Sequence, residues 1–232
     1  MSRGRLWRAL APGSLLCVLF LLCCRIPSTR ISPPPAQIEG MEGYASLKLK
    51  GEQGSTRSRF SFLFQFPGQA RIDVSDVLGR TLYQIMIGDN QAFLFIPSKK
   101  VYWQGEEGDI IHRFLGFRLN FDELVSLLSG QWGEEDFGIE DWKREWILQK
   151  DNQGRVVRGM RRDLGFEVIE FFPDTSVVRI LDFHHPLTRG RLKVLSIGFN
   201  PPLKKGFFSY DFLRDYQRKS WAEIEDMLNE KN

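Results

Sequence analysis

The chain has 232 residues and a formal charge of +3 at pH 7, with 19 Phe and 6 Trp among them. That length allows one large domain with a real core, and the aromatic load suits strands and apolar pockets. All three cysteines, Cys17, Cys23 and Cys24, lie near the start, so the rest of the chain can form no internal disulfide and offers no thiol for chemistry; Arg3, Arg5 and Arg8 lie there too, and without them the remainder is near neutral, which leaves nucleic-acid binding unsupported.

The first stretch reads as an export signal. Those arginines precede an apolar run over residues 15–22, which is short for a membrane span. Leu21-Leu22-Cys23-Cys24 resembles the lipobox of bacterial lipoproteins, with an aliphatic residue three places before Cys24 and a small one just before it. The resemblance implies signal removal after residue 23 and lipidation of Cys24. A plain signal anchor is the alternative. Residues 24–40 then follow as the lipidated cysteine and a tether, because Pro27, Pro33, Pro34 and Pro35 block helix and favour an extended spacer.

From residue 41 to residue 232 the pattern predicts one domain. Ala45, Leu47 and Leu49 alternate with Ser46, Lys48 and Lys50, and a turn follows over residues 51–56. Phe60, Phe62, Phe64 and Phe66 then share one parity, which demands a deep apolar environment. Pro67-Gly68 turns the chain into a strand carrying Ile72 and Val74; beyond Leu78-Gly79 come Tyr83, Ile85 and Ile87. Leu78 occupies a corner where a polar residue is expected, either as an exposed apolar tip or packed under the turn. After Gly88-Asp89-Asn90, residues 92–96 are apolar on both parities, so that strand must be covered on both faces.

The period changes after Gly105. Asp109 is expected to cap a short helix carrying Ile110, Ile111, Phe114 and Leu115, with Gly116 as its stop. Asn120 with Glu123 begins a second, bearing Phe121, Leu124, Val125 and Leu128 and ending at Gly130. Past an acidic loop at residues 133–141, strands are expected over 145–150, 155–161, 166–172, 177–183 and 191–199. Ser220 with Glu223 caps a terminal helix whose Trp221, Ile224 and Leu228 form a stripe. The sum is a mainly β fold with short helices: an incomplete, half-open antiparallel barrel of about 10–11 strands, with the helices laid over its open face.

Catalytic patterns are missing. His112 is isolated, and His184-His185-Pro186 lacks a spaced ligand partner, so no metal is expected. Glu106-Glu107 and Glu134-Glu135-Asp136 read as solvated loop charge, and no serine elbow, phosphate loop or dinucleotide fingerprint occurs. The expectation is no enzyme and no cofactor beyond acyl chains on Cys24. The apolar rows either close into a solid core or line a cavity. The candidates for such a lining are Phe60, Phe62, Phe64, Ile72, Val74, Tyr83, Ile85, Phe93, Phe95, Phe114, Leu124 and Leu128.

Taken together, the lipobox, the tether, Gly43-Tyr44-Ala45-Ser46-Leu47, Val77-Leu78-Gly79-Arg80-Thr81-Leu82 and the Glu123-Leu124-Val125-Ser126-Leu127-Leu128-Ser129-Gly130 helix resemble the LolB branch of the LolA/LolB lipoprotein-localisation family, over residues 43–198. The resemblance implies a helix-lidded half-barrel that receives the acyl chains of a lipoprotein from a LolA-like periplasmic carrier and releases them into the outer membrane. It implies that Leu78 and Gly79 form a loop that dips into membrane lipid, and that the protein is a monomer anchored to the outer membrane and facing the periplasm. Arg25 after the cysteine fits that sorting. The helix end Leu127-Leu128-Ser129-Gly130 departs from the family's W-L-x-G, and residues 201–232 have no counterpart. Two alternatives stay open: a binder or carrier of another envelope lipid on the same fold, and a non-enzymatic envelope-assembly scaffold with a packed interior.

Overall fold

The computed structural model describes residues 31–52, 54–76, 78–132, 145–203 and 206–230. Cys17, Cys23, Cys24, the first part of the tether, Val77 and the acidic loop with Glu134, Glu135 and Asp136 lie outside the described residues.

Strands β1 (Gly40–Gly51), β2 (Gly54–Gln65), β3 (Gln69–Ser75), β4 (Thr81–Gly88), β5 (Gln91–Ile96) and β6 (Val101–Glu106) run as an antiparallel meander. Helices α1 (Glu107–Leu115) and α2 (Phe121–Ser129) interrupt it. A second meander comes next as β7 (Ile147–Lys150), β8 (Val156–Arg161), β9 (Leu164–Phe171), β10 (Val178–His185) and β11 (Thr188–Phe199). The chain ends with β12 (Gln217–Arg218) and α3 (Trp221–Asn229). One twelve-stranded sheet results, ordered β12-β6-β5-β4-β3-β2-β1-β11-β10-β9-β8-β7. The β1–β11 pair fuses the two meanders, and the sheet stays open because its ends, β12 and β7, do not pair with each other.

Register turns the sequence alternation into one apolar face. Phe62 lies opposite Gly43 and Ile72; Ile72 lies opposite Ile85, Ile85 opposite Leu94, and Leu94 opposite Trp103. A neighbouring row joins Ala45, Phe60, Val74 and Tyr83. In the second meander Leu192 meets Leu181, and Leu181 meets Val168. Phe183 faces Gly190 and Phe166 faces Gly159 across the ladder, each ring lying where a glycine Cβ would be. A side chain at either glycine would collide with the ring, so small and large residues alternate across the curved wall.

The same alternation corrects part of the expectation. Phe93 and Phe95 do not join the apolar row of β5, because Ala92, Leu94 and Ile96 take that parity. Both phenylalanines point to the opposite face, where the returning C-terminal segment covers them: Phe93 meets Tyr210 at 4.5 Å between ring centroids, and Phe95 meets Phe212 at 4.9 Å. The demand that this strand be covered on both faces is thereby met, with the second cover supplied by residues 208–216.

Helix boundaries obey their caps. Asn120 and Glu123 form a reciprocal capping box at α2, as Ser220 and Glu223 do at α3, and Gly116 and Gly130 close α1 and α2 with positive φ. Helix α1 starts before the expected cap: Glu106 is its N-cap, and Asp109 sits in the first turn, where its charge meets the positive end of the helix dipole. The twelfth strand carries no period to read, since β12 is two residues pairing parallel with β6. The turn expected over residues 51–56 is tighter than its composition suggests, with strand pairing resuming at Gly54. Ile38 is buried, and Gln131 Nε2 donates to the Pro35 carbonyl, so the end of the proline-rich segment is fastened to the domain.

Candidate functional site

Between the apolar face of the sheet and the three helices lies a cavity of about 1440 Å³. Its sheet wall comes from Phe60, Phe62 and Phe64 on β2, Ile72 and Val74 on β3, Tyr83, Ile85 and Ile87 on β4, and Leu181, Phe183, Leu192 and Phe166 on the second meander. Its roof is Ile110, Ile111 and Phe114 of α1, Leu124, Leu127 and Leu128 of α2, and Trp221, Met227 and Leu228 of α3. The structure therefore brings Phe60, Phe62, Phe64, Ile72, Val74, Tyr83, Ile85, Phe114, Leu124 and Leu128 to one space, and leaves Phe93 and Phe95 behind the sheet. The described residues leave this interior unfilled, although closely packed cores are the rule for protein domains.

The apolar stripes fix the helices as a roof. Phe114 stacks on Tyr83 at 5.4 Å, and its edge meets Trp221 at 6.2 Å; Trp221 is in turn T-shaped against Trp103 at 5.3 Å. Arg113 lies over Trp221 with its guanidinium carbon 4.6 Å from the ring centroid, a cation–π contact that ties α1 to α3. The start of α2 is pinned to α1, where Glu107 Oε1 accepts from the Phe121 N–H at 3.0 Å. The other roof anchor is Glu123, almost fully buried, which accepts from Trp146 Nε1 at 2.8 Å and pairs with Arg161 of β8. Buried charge of this kind is tolerated only when its hydrogen bonds are made, and here the Asn120 N–H supplies another at 2.8 Å.

Toward the outer end the lining turns polar, with Ser55, Thr56, Ser58, Ser75, Asp76, Arg80 and Thr81 along the rim. Leu78 lies in the corner next to this rim and keeps 75% of its surface exposed, so it is a tip and does not pack under the turn. The corner is internally braced. Asp76 Oδ1 accepts from the Leu78 and Arg80 N–H groups, each at 2.9 Å, and Asp76 Oδ2 pairs with Arg80 Nε at 2.7 Å. The Arg80 backbone N–H, reinforced by its guanidinium and the Leu78 N–H, holds the Asp76 carboxyl below its ordinary value. Gly79 has φ of 80°, a conformation in which a β-carbon is strained. The leucine is thus presented on a turn whose neighbouring N–H groups are bound by Asp76.

Sequence reasoning missed Trp221, Arg113 and the β9–β11 wall as lining. The signal was available for the wall, since Phe166, Leu181, Phe183 and Leu192 carry the parity of their strands. For Trp221 it was not, because only the fold brings α3 against Trp103 of β6 and Phe114 of α1. No group of His, Cys, Asp and Glu among the described residues could hold a metal ion. None of the described helices is long and apolar enough to cross a membrane.

No family model matches this chain, and no curated protein matches it. Among solved structures, one described as an outer membrane lipoprotein-sorting protein domain from Vibrio parahaemolyticus superposes with a TM-score of 0.54 at 11% identity, covering 77% of this chain and 93% of that one. A LolA superfamily protein from Nitrosomonas europaea superposes with a TM-score of 0.50 at 11% identity, covering 78% and 94%. At that identity the likeness speaks to architecture alone: this chain shares the overall fold of these two structures.

Proposed function

We propose that the protein is an outer-membrane lipoprotein that shelters the acyl chains of other lipoproteins and delivers them to the membrane in the manner of LolB. The observation that carries this reading is the cavity: about 1440 Å³ of apolar space, larger than drug-sized ligand pockets, bounded by phenylalanine, leucine and isoleucine and opening at a polar rim. Such a surface releases water when hydrocarbon enters, at roughly 25 cal/mol per Å² of apolar area buried. The solid interior required of a packed scaffold is absent from the described residues.

In this account Cys24 carries the anchoring acyl chains and the proline-rich segment spaces the domain from the membrane. Cargo arrives from a LolA-like periplasmic carrier and enters beneath the α1–α2 roof. The Leu78–Gly79 tip then touches membrane lipid. Inserting one leucine contributes about 1.5–3 kcal/mol, which orients the rim toward the bilayer and still lets the protein detach. No chemical turnover is needed, since transfer moves the same hydrocarbon from one apolar environment to another.

The test is a transfer assay with a triacylated lipoprotein loaded on a LolA-like carrier and presented to vesicles. Wild type moves the cargo to the vesicles, while Leu78→Glu accepts it and retains it. A wild type that ignores lipoprotein cargo but takes up phospholipid would assign the cavity to another envelope lipid and end the LolB-like reading.

A further inference from the structure

Within this cavity Tyr83 is a polar exception on an apolar row. Its ring lies flat against Phe114 and its chain neighbours across the ladder are Val74 and, beyond it, Phe60. Its hydroxyl makes no hydrogen bond to any described residue. A phenol buried in protein ordinarily finds a partner, and leaving one unsatisfied is unfavourable. The surface Tyr83 keeps is open to the cavity, so the missing acceptor must come from whatever fills it.

The position of Tyr83 along the wall identifies that acceptor. Inward from it, the rows are wholly apolar: Phe62, Ile72 and Ile85, then Phe64, Ala70 and Ile87. Outward, β2 continues as Ser58 opposite Leu47 and Thr56 opposite Leu49, while β3 and β4 end in Ser75 opposite Thr81. Hydroxyl side chains first enter the wall outward of Tyr83, on β2, β3 and β4, beside Leu47 and Leu49 of β1. An acyl lipid changes character in the same order, with an ester or amide carbonyl at the junction of tail and head.

We propose that Tyr83 donates its hydroxyl to the carbonyl oxygen of an acyl ester or amide, setting the depth at which acyl chains seat, tails inward and head toward the rim. The proposal rests on the reading of the cavity as an acyl-chain site and adds the group that recognises the acyl linkage. Burial pushes the Tyr83 phenol above its ordinary value, so the donor proton stays in place at neutral pH. Diacyl phospholipids and protein-borne acyl chains share this carbonyl chemistry.

The decisive variant is Tyr83→Phe, which keeps the ring on Phe114 and removes only the hydroxyl; because that hydroxyl has no partner among the described residues, the variant should melt at or slightly above the wild-type temperature. Binding is measured for dipalmitoyl phosphatidylglycerol, its dihexadecyl ether analogue, and a synthetic triacylated lipopeptide. Wild type should bind the ester lipid more tightly than the ether by roughly two- to tenfold, the worth of one hydrogen bond, and Tyr83→Phe should bind both alike. Weakening of the lipopeptide by the same factor in the variant supports the contact with protein-borne chains; weakening of the phospholipid alone supports it with free lipid. A wild type without ester preference, or a variant that keeps it, overturns the proposal. Wild type binding none of the three overturns the cavity reading itself, a result separate from loss of the preference.

Discussion

Trp146 Nε1 donates to Glu123 Oε1 at 2.8 Å, joining the residue just ahead of β7 to the first turn of the roof helix α2. The same carboxylate pairs with Arg161 on β8, whose guanidinium also lies over the Trp146 ring at 5.1 Å and donates through Nη2 to the Arg118 carbonyl at 2.7 Å. One buried acid therefore holds α2 by its cap and fastens it to the far meander. Glu123→Ala should cost about 3–5 kcal/mol, because it leaves the Arg161 charge and the Trp146 N–H without their acceptor. Thermal or urea unfolding measures it; a loss under about 1 kcal/mol, the scale of a surface ion pair, would show that the roof does not depend on this anchor.

Acid should loosen the other end of the roof. At α3 the Glu223 carboxylate accepts from the Ser220 N–H and hydroxyl, each at 2.8 Å, and pairs with Lys219 Nζ at 3.0 Å. The Ser220 N–H leads these in holding the Glu223 carboxyl down to about 2, below its ordinary 4.5. Glu230, paired with Lys99 at 2.7 Å, is likewise lowered. A carboxyl depressed in the folded state favours folding fully at neutral pH, and that contribution fades as pH falls from about 4.5 toward 2. Trp221 fluorescence should therefore report release of α3 in that window. Replacing Glu223 with Gln should remove most of the acid dependence, and an unchanged profile would place its origin elsewhere.

Period and capping make much of this molecule legible in its sequence. The phenylalanine parity of β2, the reciprocal boxes at Asn120 and Ser220, and the stops at Gly116 and Gly130 are local, so the residues that make them sit within a few positions of one another. Which face of a doubly apolar strand meets the cavity is not local: Phe93 and Leu94 are equally apolar, and only the register with Met86 and Trp103 decides between them. Likewise, the C-terminal segment shows an amphipathic helix in sequence, but its place in the roof of the cavity follows a return of the chain along β6 through β12, a pairing of two residues. Whether the phenylalanine rows close or leave space depends on the curvature of all twelve strands together, which composition does not specify.

The central claim is that the cavity holds acyl chains, and filling it tests that claim most directly. Leu124 projects from α2 into the space and is only partly buried, so Leu124→Trp adds volume where there is room. The measurement is displacement of an environment-sensitive fluorescent fatty acid by a triacylated lipopeptide, for wild type and for Leu124→Trp, alongside thermal unfolding of both. The account predicts saturable binding and displacement by wild type, at least tenfold weaker binding by the variant, corresponding to about 1.4 kcal/mol or more, and melting within a few degrees of wild type. Equal binding by both proteins, with the variant stably folded, would contradict it.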